Sequence, residues 1–204
     1  MRRGSKTLIL VALLPIILTA CASASPPARF YMLDPDPIGA DGSIELGDAW
    51  VGVGPINTPD YLDRPQMVTR GEGNRLVIHE FDRWAQPVQG RVLDVLMENI
   101  VALSDSNRVA PFPWPAAFRP DRRVMGEIVA FEAGPTGEVV LKVRWLVQVR
   151  AEDGGGDGGV GSRVYVQEYR EPAPAGDFGA MAAAMSRALG RWSEDIGQAL
   201  AASE

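Results

Sequence analysis

Between Val139 and Val149 apolar residues stand at every second position: Val139, Leu141, Val143, Trp145, Val147 and Val149. A period of two places that set on one face of an extended chain, so the segment predicts a strand with one fully buried side. Arg123 to Phe131 alternates in the same way, and Gly134-Pro135-Thr136-Gly137 between the two runs has the composition of a hairpin turn. Arg163 to Arg170 supplies a third run, with Tyr165 and Tyr169 on one side and Val164 and Val166 on the other. The three predict an antiparallel meander.

Shorter extended segments come earlier. Arg29 to Leu33 and Ala49 to Ile56 read as strands; Asp34-Pro35-Asp36-Pro37 and Asn57-Thr58-Pro59-Asp60 end them. Ile38 to Asp48 reads as loop. Gln66 to Arg70 and Arg75 to Glu80 flank Gly71-Glu72-Gly73-Asn74 and predict a hairpin. A further short strand is expected at Asn107 to Ala110. After it Pro111, Pro113, Pro115 and Pro120 interrupt an aromatic segment, and because proline removes ladder donors this cannot be a central strand.

Two stretches change to the helical period. Val88, Val92, Val95, Leu96, Asn99 and Leu103 share one face of a helix that ends near Ser104, with Pro87 placed in its first turn. Phe178, Met181, Met185, Leu189, Trp192, Ile196 and Leu200 form a stripe on a second helix opened by Asp177. The expected fold is therefore α+β: one two-layer domain in which two main helices pack on an antiparallel sheet. No internal repeat is evident.

The N-terminus has a different character. Arg2, Arg3 and Lys6 precede an apolar run from Leu8 to Ala20, the pattern of a signal peptide over residues 1 to 20, and the run is too short to span a bilayer. Leu18-Thr19-Ala20-Cys21 has the form of a bacterial lipobox, while Ala22-Ser23-Ala24 would also suit an ordinary small-x-small cleavage site. Cys21 is the single cysteine, and a cysteine with no disulfide partner at that place favours the lipobox. Cys21 would then carry S-diacylglycerol and N-acyl groups, and a multiply acylated terminus holds a membrane far more firmly than one chain does. Ala22, in place of Asp, fits sorting to the outer membrane. Residues 21 to 28 form an Ala/Ser/Pro-rich linker, and residues 29 to 204 the folded domain.

Composition narrows the partners. The 204-residue chain less residues 1 to 20 leaves 184, enough for one sizeable core. Loss of Arg2, Arg3 and Lys6 takes the formal charge from -6 to -9, which argues against nucleic acid as a partner. The sole histidine, His79, has no second histidine or cysteine near it, so no metal ligand set is expected. Gly52-Val53-Gly54 lacks the third glycine and the following helix of a dinucleotide loop, and no nucleophile elbow occurs. Asp153-Gly154-Gly155-Gly156-Asp157-Gly158-Gly159 is one acidic glycine-rich tract, where a calcium-binding repeat would need several. No catalytic residue and no cofactor beyond the acyl groups is expected.

The densest pattern is Tyr61-Leu62-Asp63-Arg64-Pro65-Gln66-Met67-Val68-Thr69-Arg70, followed by Asn74, Leu76, Glu80 and Arg83-Trp84-Ala85-Gln86-Pro87-Val88. Together with the lipobox and the Met185-Ser186-Arg187-Ala188-Leu189 helix, it resembles the PqiC-like auxiliary lipoproteins of ABC-type transporters, over essentially the whole mature chain. Gln86, where many relatives carry an acid, and the 151–162 loop depart from the family pattern. The resemblance implies a non-enzymatic periplasmic subunit, anchored in the outer membrane, that docks a mammalian-cell-entry (MCE) domain protein of a lipid transporter and assembles as a homo-oligomeric ring. A lipid-binding carrier is the alternative.

Two readings of the motif stand side by side. In one, Asp63 accepts from Arg64, Arg70 or Arg83 and Trp84 packs over the helix, so the set fixes the hairpin to the helix. In the other, Tyr61, Asp63, Arg64, Arg83 and Trp84 belong to a partner-binding surface, since Tyr, Trp and Arg dominate interface hot spots.

Overall fold

Eight strands and two long helices make up the computed structural model, which describes residues 25–38, 43–115, 117–150 and 161–203. The signal peptide, Cys21, the first half of the linker and the Gly-rich tract at 153–159 lie outside the described residues. In chain order the strands are β1 (Arg29–Tyr31), β2 (Val51–Asn57), β3 (Gln66–Arg70), β4 (Leu76–Trp84), β5 (Val109–Pro111), β6 (Arg122–Ala133), β7 (Val139–Val149) and β8 (Gly161–Glu171). The helices are α1 (Val88–Ser104) and α2 (Phe178–Ala201).

The meander is as its alternation predicts. β6 pairs antiparallel with β7, and β7 with β8 from Val139↔Glu171 to Val149↔Gly161. Elsewhere the pairing departs from expectation, and the sheet is mixed rather than antiparallel. β2 runs parallel to both β5 and β6, β1 runs parallel to β4, and β3 touches the end of β6 in parallel register at Thr69↔Ala133. Alternation fixes which face of a strand is buried but not which neighbour it meets or in what direction. The free edge of β6 is shared: β2 occupies its first half and β3 its end, giving the order β1-β4-β3-β6-β2-β5 with β7 and β8 on the other side.

Both helices cover one face. α1 packs against β2 and β5, α2 against β6, β7 and β8, and the two helices against each other. The predicted stripes are the buried ones: Val88, Val92, Val95, Leu96, Asn99 and Leu103 on α1, and Met181, Met185, Leu189, Trp192, Ile196 and Leu200 on α2. Pro87 caps α1 from just outside its first turn, and Asp177 caps α2 by accepting from the Ala180 amide at 2.9 Å. Trp145, Trp192 and Phe131 are the largest of the fully buried side chains.

The segment after β1, which includes the Ile38 to Asp48 stretch read as loop and Leu33, read as the end of the first strand, does more than connect. Leu33, Ile44 and Leu46 are buried, and the described residues 34–38 and 43–46 lie on the outside of the helix pair as a strap. The Asp34 amide donates to Ser186 Oγ, the Asp36 amide to Asn99 Oδ1 and the Ile44 amide to the Leu103 carbonyl, each at 3.0 Å. Asn99 Nδ2 in turn reaches Ser193 Oγ at 3.1 Å. Buried Asn99 thus satisfies both helix and strap, as a buried amide must.

Candidate docking surface

The motif segment begins at the end of β2, where Pro59 starts a single 3-10 turn, Asp60–Leu62, and buried Leu62 pins the turn to the core. The Pro65 carbonyl accepts from the Trp84 amide at 2.7 Å, and Gln66 faces Arg83 in the β3–β4 register. Those two contacts bring residues 61–65 beside residues 83–84, although some twenty positions separate them in the chain.

The five motif residues divide by environment. Trp84 is 5% exposed and belongs to the core, so its indole supports the surface from beneath and offers nothing to a partner. Tyr61 is half-buried. Its hydroxyl accepts from the Phe131 amide at 3.0 Å and donates to the Glu132 carboxylate. Burial and that carboxylate push the phenol well above its ordinary pKa, so Tyr61 is a fixed donor. Arg70 completes the cluster, with Nε 2.8 Å from Glu132 Oε1. This triad joins β3 to the end of β6, where the sheet has one register contact between the two strands.

Asp63, Arg64 and Arg83 reach the surface. Arg70 pairs with Glu132 and Arg83 with Glu80, so neither arginine serves Asp63, which is exposed and makes no ion pair among the described residues. Arg83 Nε donates to the Glu80 carbonyl at 2.8 Å, which leaves its guanidinium partly exposed. Arg64 is partly buried, and its Nε has no partner. That nitrogen is itself buried, so what this part of the surface offers a partner is the exposed Asp63 carboxylate and the accessible part of the Arg64 and Arg83 guanidinium groups, a polar set suited to a charged group on a protein surface.

Among the buried acids that sequence reasoning passed over, two hold strands together. Glu132 alternates in β6 as an outward residue would, yet is 4% exposed because β3 and the Tyr61 turn cover it. Asp82 is 5% exposed. It accepts from Arg29 Nε at 2.8 Å, Arg29 Nη2 at 3.0 Å and the Tyr31 hydroxyl at 3.0 Å, tying β1 to β4. Burial alone would raise the Asp82 pKa; the hydrogen bonds from Arg29 and Tyr31 outweigh it and hold the carboxyl below its usual range. The signal for both was a carboxylate in a strand whose tyrosine and arginine partners lie far away in sequence.

The buried apolar side chains of sheet and helices form one core cluster. The clefts found among the described residues lie at the surface. One of about 470 Å³ sits between the β7–β8 end and the last turn of α2, one of about 310 Å³ under the strap, and one of about 250 Å³ beside His79 and Phe178. No described helix is long and apolar enough to cross a membrane, and no cluster of three potential metal ligands occurs among the described residues.

Residues 31–197 match the family model of the ABC-type transport auxiliary lipoprotein component. The chain belongs to that family. Two solved structures share its fold. One is an uncharacterised protein, 18% identical, with a TM-score of 0.64, aligned over 86% of this chain and 99% of its own. The other is a Xanthomonas campestris protein of family DUF330, 19% identical, with a TM-score of 0.63 over 85% of this chain and 95% of its own. A search of curated proteins returned no match. The fold is thus shared with those two structures, and the association with an ABC-type transporter comes with family membership.

Proposed function

We propose that this auxiliary lipoprotein is a non-enzymatic, outer-membrane-tethered periplasmic subunit of an MCE/ABC-type lipid transport system, and that it docks the MCE protein reaching across from the inner membrane. The observation that carries the reading is the family match over residues 31–197, joined to a lipobox-like leader at Cys21. Asp63, Arg64 and Arg83 are the contact residues; Tyr61 and Trp84 hold them in place. Cys21 carries the acyl groups, and copies of the chain assemble as a ring.

The test is crosslinking in cells followed by purification of the tagged full-length protein and mass spectrometry of what accompanies it. Recovery of an MCE protein and its ABC partners, lost on Arg64→Ala together with Asp63→Ala, supports the reading. Recovery of transporter components undiminished by those substitutions would move the contact elsewhere. Co-purified lipid with no envelope protein would favour the carrier alternative, for which the described clefts are open rather than enclosed.

A further inference from the structure

β6 changes phase part-way along its length. Val124 and Ile128 belong to the core, and so do Phe131 and Ala133, an even pair followed by an odd one. Ile128 pairs with Val143 and Ala130 with Lys142, so Val129 is an extra residue, a bulge in the ladder with β7. Without it Ile128, Ala130 and Glu132 would share one face. With it Phe131 and Ala133 enter the core and Glu132 turns to the opposite side. Bulges of this kind re-aim a side chain, and Glu132 is the side chain re-aimed.

The other edge of β6 has a gap at the same level. β2 follows β6 as far as Asn57↔Glu127 and β3 joins it at Thr69↔Ala133, so Ile128 to Glu132 have no ladder partner on that side among the described residues. The connection from β2 to β3 crosses this gap and contains the Asp60–Leu62 turn. There the Tyr61 hydroxyl accepts from the Phe131 amide at 3.0 Å, in the place of a strand carbonyl. The same hydroxyl donates to Glu132, whose Oε2 also accepts from that amide at 2.9 Å. Arg70 Nε donates to the other oxygen, Oε1, at 2.8 Å. Both carboxylate oxygens are thus engaged inside the fold.

Asp63 and Arg64 stand between two fixed points of this connection. At the far end the Pro65 carbonyl accepts from the Trp84 amide. At the near end the Leu62 amide donates to the Pro59 carbonyl at 2.9 Å and the Asp63 amide to the Asp60 carbonyl at 3.1 Å, bonds that close the turn on itself without joining it to the sheet. Two contacts join it: the buried Leu62 side chain and the Tyr61–Glu132 bond. An apolar contact has no direction, and a turn pinned by it alone is free to rotate about it. A hydrogen bond to a carboxylate is directional and among the strong ones, so it removes that rotation.

We propose that Glu132 is a positioning residue of the docking surface: through the Tyr61 hydroxyl it holds the Asp60–Leu62 turn across the gap in the sheet, and so sets where Asp63 and Arg64 meet the partner. The proposal rests on the docking reading of Asp63, Arg64 and Arg83. Glu132 is buried and touches no partner itself; Arg70 balances its charge from the β3 side. Two conservative changes separate this role from mere bulk. Tyr61→Phe removes only the hydroxyl. Glu132→Gln keeps the shape but leaves one acceptor oxygen and turns an amide donor toward Arg70 or Tyr61.

The experiment puts a photoactivatable benzophenone side chain in place of exposed Asp60, and in a second series of exposed Pro65, in the full-length tagged protein, and measures in cells the yield of its crosslink to the transporter partner. Glu132→Gln and Tyr61→Phe should each lower the yield about fivefold or more, and the double variant should go no lower than the single ones, because the two side chains act as a unit. Ile196→Val in the core should leave the yield unchanged although it lowers the urea midpoint. Hydrogen exchange on the purified protein supplies a readout that needs no partner: the Asp63 amide should exchange faster in Glu132→Gln while the amides of β7 keep their protection. A wild-type crosslink that both substitutions leave intact overturns the positioning role alone. An equal loss in Ile196→Val would make the effect one of overall stability and overturn the role too, and losses that add in the double variant would show Glu132 acting other than through Tyr61, with the same consequence. A wild-type protein that gives no crosslink in either series overturns the docking reading and this proposal with it.

Discussion

Two buried tryptophans on facing elements differ in one hydrogen bond, and that difference separates their expected costs. Trp145 Nε1 donates to Gln167 Oε1 at 2.8 Å, and Gln167 passes the network to Asp195 at 2.7 Å, where the Tyr169 hydroxyl also donates at 2.6 Å. Trp192 Nε1 is buried with no partner. A donor left unpaired in the core has already forfeited its hydration, so removing it gives something back, while removing a paired donor strands the acceptor. Trp145→Phe should therefore cost about 1 kcal/mol more than Trp192→Phe, as read from urea midpoints. His79 provides a second test at this scale. Its Nε2 lies 2.9 Å from Thr69 Oγ1 and its ring 4.5 Å from that of Phe178, and burial lowers its pKa although Asp82 pulls the other way. The folded state thus binds the His79 proton more weakly than the unfolded chain, which titrates near pH 6.5. The stabilisation is complete above that pH and is lost as pH falls through the lowered folded value. Wild type should lose more stability than His79→Gln between about pH 7.5 and about pH 5.5, and equal losses would show that His79 does not contribute.

Among elements, the strap across the helices depends on how closely α2 lets it approach. A Cβ built on Gly190 would stand 2.0 Å from the Asp36 carbonyl oxygen, and one on Gly197 would stand 2.2 Å from Ile44 Cδ1. Backbone cannot step aside as a side-chain tip can. Both changes to alanine gain about 1 kcal/mol of helix propensity. Gly197→Ala should consequently be near neutral once Ile44 changes rotamer. Gly190→Ala should destabilise by about 2 kcal/mol or more, with the strap amides of Asp34 and Asp36 losing protection in hydrogen exchange before the helices do. The same strap shows where sequence reading ends. Alternation along β7 and the stripe on α2 were legible because each needs one buried face, and a single period states it. Leu33, Ile44 and Leu46 follow no period, since the strap is held by amide contacts to Ser186, Asn99 and Leu103 that local pattern does not encode. In β4 the read stopped at Glu80, yet the strand continues to Trp84 through an irregularity that shifts the pairing between Gln66↔Arg83 and Met67↔His79. The motif around Tyr61 was visible as a dense set of polar and aromatic residues. That Tyr61 serves Glu132 was not, because β6 comes to that place only through the tertiary fold.

For the molecule as a whole, the sheet edges bear on assembly. β1 and β5 are three residues each and β5 ends in Pro111, so both edges are too short to template much pairing. β8 is different. It runs eleven residues, pairs among the described residues only with β7, and carries Val164 and Val166 at 61% and 73% exposure, a combination that solitary proteins avoid. Arg163 stands in its first half, over the Tyr165 ring, and in its second half Glu168 and Arg170 engage Lys142 and Glu138. An edge that no described residue covers fits the proposed homo-oligomer, but the geometry of the contact decides the form. If β8 pairs with β8 of another copy about a two-fold axis, both edges are consumed and assembly stops at a dimer. A ring requires β8 to meet a different surface of the next copy, repeated until it closes. The Cys21→Ala protein at high concentration should accordingly sediment as a closed species larger than a dimer. Val164→Lys with Val166→Lys should reduce it to monomer while the far-ultraviolet circular dichroism stays unchanged, since both valines are exposed and their loss empties no core. A dimer that survives those substitutions would exclude the β8 edge as the contact, and a dimer that they abolish would replace the ring by a two-fold pair.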